Sequence, residues 1–160
     1  DNLVMLYDRA KRSEQAQPLA EETLRRRKAQ LGEDHQDTLA SMSRLAEVLN
    51  SAGRHEEALA MATKSLRKRE ALLGEDHPET LVGRHLLGWV HQSMGNWDQA
   101  IQQYEATWQK RKEILGVNHH STLDVARNLV EVYELAGRPE EAAAVRRESE
   151  SSAAEGSDPS

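Results

Sequence analysis

Apolar residues recur along this chain at the spacing of an amphipathic helix, in segments separated by short polar stretches. The apolar positions of two such segments, each lying on one helical face, are Leu39, Met42, Leu45, Ala46 and Leu49, and then Leu123, Ala126, Leu129, Val130 and Tyr133. Each set predicts a helix of about four turns with one buried face.

A second helical pattern follows each first one after a glycine. Gly53, Gly95 and Gly137 share one column at a spacing of 42 residues, and Ala58, Ala100 and Ala142 share another. Glycine takes the left-handed conformation that ends a helix, and alanine lets two helix backbones approach closely. Each copy is therefore predicted to be an antiparallel helix hairpin.

The hairpins are joined by a phrase that returns at the same period. LGEDHQDTL begins at Leu31, LGEDHPETL at Leu73 and LGVNHHSTL at Leu115. A fixed period of this length is typical of solenoids built from one supersecondary unit. In the middle copy, Gly74 is predicted to stop a helix and Asp76 to cap the next one. Pro78 then fits the first turn and Glu79 completes a capping box.

These columns divide the chain into repeats. Ala16 matches Ala58, while Leu3 and Tyr7 match Leu45 and Leu49, so residues 1–30 are predicted to be a preceding copy that has lost the connector phrase. We predict one module over residues 1–149 and a disordered acidic tail over residues 150–160. Within the module we expect a partial repeat at 1–30, full repeats at 31–72 and 73–114, and a shortened one at 115–149.

Composition narrows the classes of function. The chain has 160 residues, a net charge of −6, no Cys and no Phe, which excludes disulfides, thiolate nucleophiles and cysteine-ligated zinc. The acidic balance gives no general attraction to nucleic acid or an anionic membrane. No apolar run approaches the roughly 20 residues of a membrane span, and no secretory signal opens the chain. We expect a soluble cytoplasmic protein.

The turn glycine, the following alanine and the connector LGEDHPETL together resemble the 42-residue tetratricopeptide repeat of the kinesin light chain type. The resemblance covers residues 1–149. It implies an all-α, right-handed superhelical solenoid whose first helices line a concave groove that binds a peptide or helix of a partner protein. Such repeats also occur in fungal and bacterial signalling NTPases. The alternative is therefore a structural or regulatory segment of such a protein, acting by intramolecular packing or self-association.

The first helix of this repeat family usually carries a pair of asparagines, most of which this chain lacks. The two columns hold Ser43 and Arg44 in one copy, and only Asn128 matches in the last copy. Because those asparagines commonly grip a peptide backbone, a standard peptide clamp is not expected.

His35, His77 and His119 raise the possibility of a metal site. Equivalent residues of stacked helices lie at least about 8–10 Å apart, whereas zinc holds nitrogen at about 2.0–2.1 Å. We therefore predict a structural place in the turn, with no metal and no cofactor. The basic runs RRRK, RKR and KRK are expected to complement helix dipoles and to pair with acidic turn residues such as Glu33 and Glu75, so no nucleic-acid partner is expected.

No nucleotide loop, nucleophile elbow or zinc-protease helix is present in the sequence, and we predict no enzymatic activity. The remaining candidate is a row along the first helices, opposite the packing stripe. The row consists of Ala40, Ser43, Glu47, Asn50, Val82, His85, Trp89, Gln92, Asp124, Arg127, Glu131 and Glu134, with Asn128 beside it and Asp8 extending it backward.

Trp89 and His85 are predicted to be central to this row. Tryptophans at interface centres often anchor partners. The alternative is that Trp89 packs against a neighbouring helix. Since carboxylates outnumber cations in the row, we expect a partner segment with Lys or Arg flanking an apolar residue. The protein is expected to be a monomer or to self-associate weakly.

Overall fold

The fold is an array of helices packed in chain order. In this computed structural model the backbone is described for residues 2–155 and the side chains for residues 16–150. The described chain forms seven helices and no strand: α1 Asn2–Leu31, α2 Gln36–Ser51, α3 His55–Leu73, α4 Pro78–Ser93, α5 Trp97–Leu115, α6 His120–Leu135 and α7 Pro139–Glu155. Each helix packs on the next one, and α2 also touches α4. The predicted all-α solenoid of helix hairpins is confirmed.

Glycines end the first helix of each hairpin. Gly53, Gly95 and Gly137 have φ between 71° and 81°. After α2, the Gly53 N–H donates to the Asn50 carbonyl at 3.1 Å and the Arg54 N–H to the Leu49 carbonyl at 2.9 Å. This pair of bonds is a Schellman motif, which needs a left-handed residue at its centre. The same bonds follow α4 and α6, so all three hairpin turns have one geometry.

The connector histidines begin the next hairpin. His77 has extended backbone angles, and its Nδ1 accepts the Glu79 N–H at 3.1 Å. His35 and His119 cap α2 and α6 in the same way, at 3.1 and 3.2 Å. The prediction that Asp76 caps α4 is therefore wrong. Asp76 instead pairs with Lys110 at 3.2 Å.

The Glu79 carboxylate also departs from its predicted place in a capping box. It lies 3.5 Å from the Arg69 guanidinium. Pro78 begins α4, where its missing N–H costs no intrahelical bond.

Two apolar clusters form the core. One joins α1 to α4 and includes Leu45, Leu66 and Val90; the other joins α5 to α7 and includes Tyr104 and Leu129. The alanine column is fully buried in these clusters, with Ala58, Ala100 and Ala142 at 0% exposure. Close helix contacts at these alanines stack the hairpins.

The two ends of the array depart from a simple repetition of hairpins. α1 is one helix, with Pro18 inside it and no turn at Lys11, which stands in the glycine column. α7 continues to Glu155, into the residues assigned by sequence to the tail. Residues 156–160 lie outside the described residues.

Candidate functional site

A repeated arginine links successive helices through buried polar contacts. Arg27, Arg69 and Arg111 are 42 residues apart. Arg69 is only 3% exposed and donates to Ser43 Oγ at 3.1 Å, while Arg111 donates to the Ser121 carbonyl at 2.7 Å. Arg69 of the RKR run and Arg111 of the KRK run are therefore structural and face inward.

Lysines of the basic runs pair with acidic turn residues. Lys28 and Lys68 both contact Glu33, and Lys68 also contacts Asp34. These ion pairs are the ones expected from the sequence. They tie the end of a second helix to a neighbouring connector, and each is partly exposed, so each contributes little to stability.

A second polar seam runs between successive first helices. Asn50 of α2 donates to Ser93 Oγ of α4 at 2.9 Å, and its Oδ1 lies 2.7 Å from His55 Nδ1. Between α4 and α6, Asn128 Nδ2 lies 2.7 Å from His85 Nε2. Asparagine thus bridges first helices in this chain.

The sequence-predicted row falls partly in this seam. Ser43 and Asn50 are buried, at 6% and 3% exposure, and are not available at the surface. Gln92 accepts the hydroxyl of Tyr104 at 2.9 Å. These side chains hold helices together because a following helix covers their face. Helical spacing alone does not reveal which face the next helix covers.

His85 lies in an enclosed part of the seam. Its ring centroid is 5.4 Å from that of Tyr104. Burial lowers the pKa of His85 to about 4, with the Arg111 charge lowering it further and Asp124 opposing. A neutral imidazole accepts the Asn128 amide hydrogen, and a protonated one has no acceptor to offer. The contact between Asn128 and His85 therefore fits the neutral form of the histidine.

The first helices leave a row of residues accessible beside the predicted row, and we call it the first-helix stripe. Its members on each helix are separated by seven and then four residues. Its members are Ala40, Glu47, Ser51, Val82, Trp89, Ser93, Asp124, Glu131 and Leu135. Val82 and Leu135 are 44% and 52% exposed. The row predicted from the sequence does not contain Ser51, Ser93 and Leu135, although the 42-residue period relates these three positions.

Trp89 lies at the centre of this stripe. It is half-buried and packs against both core clusters. Glu47 and Glu131 hold the equivalent positions 42 residues before and after it. Burial raises the pKa of Glu47, and Arg44, which donates to it at 2.7 Å, opposes the rise. The stripe is thus an aromatic centre between two carboxylates.

The last hairpin adds exposed charges. Arg127 pairs with Asp124, and Glu134 accepts from Arg146 at 2.5 Å. Arg127 and Glu134 occupy the seam columns of the earlier copies but are exposed, because no further first helix covers α6 within the described chain. The side chain of Asp8 lies outside the described residues.

A metal centre has no geometric support in the part of the chain whose side chains are described. No group of three or more His, Asp or Glu side chains there is placed to hold an ion. His35, His77 and His119 instead use Nδ1 as a cap acceptor. Among the described residues, no helix combines the length and apolarity needed to cross a bilayer.

The repeats match a known family in sequence. The model of the tetratricopeptide repeat family matches residues 1–71, 39–107 and 92–153, which together cover most of the chain. The chain belongs to the tetratricopeptide repeat family. Tetratricopeptide repeats are protein–protein interaction modules of a typically non-catalytic fold.

Solved structures agree on the fold. A kinesin light chain-type protein with nearly identical TPR-like repeats from Podosopora anserina superimposes with a TM-score of 0.80 at 23% identity, over 92% of this chain and 73% of that one. BtubC (BKLC) from P. vanneervenii gives 0.79 at 22% identity, over 99% of this chain and 64% of that one. At these identities the likeness shows the tetratricopeptide fold alone. No curated protein matches this chain significantly in sequence.

Proposed function

We propose that this tetratricopeptide module binds a short peptide of a partner protein along the first-helix stripe, without catalysis. The observation that carries the proposal is the position of Trp89. It is partly exposed at the centre of the stripe and lies in register between Glu47 and Glu131. An aromatic surface flanked by carboxylates favours a segment with an apolar residue between cationic ones.

The helix spacing defines the register of such a peptide. Neighbouring packed helices lie about 8–10 Å apart, and an extended chain advances about 3.3 Å per residue. A peptide crossing α2, α4 and α6 would then place Lys or Arg about three residues on either side of the residue that contacts Trp89. Asp124, Arg127 and Asn128 on α6 would add polar contacts near one end, and His85 would support Trp89 from the seam.

Peptide display against the whole chain tests this function. Glu47→Lys and Glu131→Lys reverse the charge on each side of Trp89 without removing core atoms. Glu56→Lys, on an exposed position of α3, is the matched control for added positive charge. Enriched peptides should carry the cationic pattern and lose binding to both stripe variants but not to the control. Equal binding to all three variants would reject the stripe as the site.

The end of the array gives a second candidate function, which is association through packing. A groove of about 420 Å³ lies between α6 and α7, and its lining includes Leu123, Ala126, Val130 and Arg146. The equivalent face of α4 and α5 is covered by α6. A mass by light scattering that rises with protein concentration, and returns to the monomer value in Val130→Glu, would support this candidate. A constant monomer mass would count against self-association.

A further inference from the structure

The sequence of α7 contains a serine that follows two arginines. Arg146, Arg147, Glu148 and Ser149 are consecutive, so the arginines lie three and two residues before the hydroxyl. No other serine or threonine in the sequence has arginine at both of these positions. Serine kinases that select substrates by charge bind such arginines with carboxylates of their own. The spacing therefore makes Ser149 a candidate for phosphorylation.

The part of α7 that carries this serine makes few buried contacts. Among the described side chains of α7, Val145 is the last buried one, and residues 146–150 are exposed or half-buried. Glu148 pairs with Lys112 of α5, but its side chain is 49% exposed, so the pair stabilises this segment little. Kinases bind their substrates in an extended conformation. A segment with so few buried groups can leave the helix at a low cost in free energy.

Ser149 shares a groove with two cations from different helices. It lines the groove between α6 and α7 together with Arg127 and Arg146. Both arginine side chains are largely accessible, at 74% and 50% exposure, and each pairs with a carboxylate of α6. Among the described residues that line the groove, Glu150 is the one carboxylate. The groove beside Ser149 is therefore lined by more cations than anions.

We propose that Ser149 is phosphorylated by a kinase that recognises Arg146 and Arg147, and that the phosphate is then held between Arg127 of α6 and Arg146 of α7. A phosphoserine carries about −1.5 to −2 charges and three acceptor oxygens, so it can accept hydrogen bonds from both guanidinium groups. The unmodified hydroxyl donates within its own helix, to the Val145 carbonyl at 3.0 Å. Phosphorylation would therefore join the end of α7 to α6.

The kinase brings the ATP and Mg²⁺ that the transfer uses. Ser149 Oγ attacks the γ-phosphorus of ATP, and a new O–P bond forms as the bond between that phosphorus and the ADP oxygen breaks. The hydroxyl proton passes to a carboxylate of the kinase. The products are ADP and phosphoserine, and no other reactant is consumed.

Phosphorylation of the whole chain tests the choice of serine. The probe is the catalytic subunit of cyclic-AMP-dependent protein kinase with ATP and Mg²⁺, and mass spectrometry locates the phosphate. We expect phosphate on Ser149 and at least a tenfold lower kcat/KM in Arg147→Gln. Arg67→Gln removes the same charge from an exposed position of α3 and is the matched control, with a rate close to the parent. No phosphate on Ser149, or an equal loss in both arginine variants, would overturn the proposal.

Phosphorus NMR of the modified protein tests where the phosphate is held. Two guanidinium groups stabilise its dianion, so the phosphate pKa should lie below the value of about 6 for phosphoserine. Arg127→Gln should raise this pKa, whereas Arg67→Gln should leave it unchanged. The same phosphate pKa in the parent and in Arg127→Gln would overturn the pairing across the groove. Neither readout uses a partner peptide, so failure here leaves the proposed function of the first-helix stripe open to its own test.

Discussion

At the residue scale, each connector histidine stabilises the start of a first helix through one hydrogen bond. His77 Nδ1 satisfies the Glu79 N–H, which would otherwise have no partner within the helix. We expect His77→Ala to lower the free energy of unfolding by about 1 kcal/mol, the usual cost of losing a cap. Urea unfolding followed by circular dichroism measures this loss. His77→Asn retains a cap acceptor and should be close to the parent; an equal loss in both variants would contradict capping.

Gly88 and Tyr104 form a size-matched pair across α4 and α5. A Cβ at Gly88 would lie 2.7 Å from the Tyr104 ring. The preceding copy has Ala46 and Ala62 in the equivalent positions. We therefore expect Gly88→Ala to destabilise the protein by about 1–3 kcal/mol through overpacking. A thermal or urea melt of the single variant measures that cost.

The same pair gives a coupling test. Tyr104→Ala removes a buried ring and is destabilising alone. Adding Gly88→Ala to Tyr104→Ala reproduces the alanine pair of the preceding copy, so the second substitution should then cost little. Strictly additive losses would show that the two side chains do not compete for space.

His85 predicts a pH dependence of stability. Its folded pKa of about 4 lies below the ordinary value of 6.5, so the unfolded chain binds more protons between these values and stability falls as pH falls through this range. The upper limit of the effect is roughly 3 kcal/mol. Urea midpoints between pH 7 and pH 4 measure it.

His85→Gln is the matched variant for this titration, since glutamine keeps an acceptor for Asn128 without binding a proton. The carboxylates titrate in both proteins, and the difference between the two curves isolates the histidine. We expect the variant to lose less stability on acidification. Parallel curves would mean that folding does not lower the pKa of His85.

At the element scale, arginine joins one helix to the next. Arg69 reaches from α3 to Ser43 on α2 and to the carboxylate of Glu79 on α4. Removing the Arg69 side chain would leave the Ser43 hydroxyl and the Glu79 carboxylate without the guanidinium that contacts them. We expect Arg69→Ala to lower the free energy of unfolding by about 1–3 kcal/mol. Arg67→Ala, two residues away on the exposed face, is the control and should change stability little.

Much of the element scale could be predicted from sequence, because its signals are local. A glycine that ends a helix and an alanine at a close contact act within one or two turns, so their 42-residue columns coincide with the observed hairpins. The sequence does not distinguish Asp76 from His77 as the cap of α4, because the two residues are adjacent and both are polar. The extended backbone of His77 directs its side chain to the helix start.

The candidate site was harder to predict because its exposure depends on a neighbouring hairpin. Ser43 and Asn50 are polar and lie opposite part of the apolar stripe, yet Ser43 is buried against Arg69 of α3 and Asn50 against Ser93 of α4. Glu47 and Trp89 lie one step around the helix and remain accessible. Which of these residues is buried and which is accessible depends on how one hairpin is rotated relative to the next. The spacing of residues within one helix gives no information on that rotation.

At the scale of the whole molecule, Trp89 connects two halves of an extended core. The cluster built on α1 to α4 and the cluster built on α5 to α7 both pack against its ring. In a repeat array each unit contacts only its neighbours, so cooperative unfolding depends on such shared contacts. Trp89 therefore couples the two core clusters, in addition to its proposed role in peptide binding.

Because Trp89 couples the two clusters, we expect the α1–α4 half and the α5–α7 half of Trp89→Ala to unfold at different urea concentrations. The tryptophans that remain, Trp97 and Trp108, both belong to the α5–α7 cluster, so fluorescence then reports that half while circular dichroism reports all helices. We expect the two probes to give different urea midpoints in the variant, because fewer contacts couple the clusters. Trp97→Phe keeps the bridge and should leave the two midpoints together. Coincident transitions in Trp89→Ala would show that the remaining contact between α4 and α5 is enough to unfold the array as one unit.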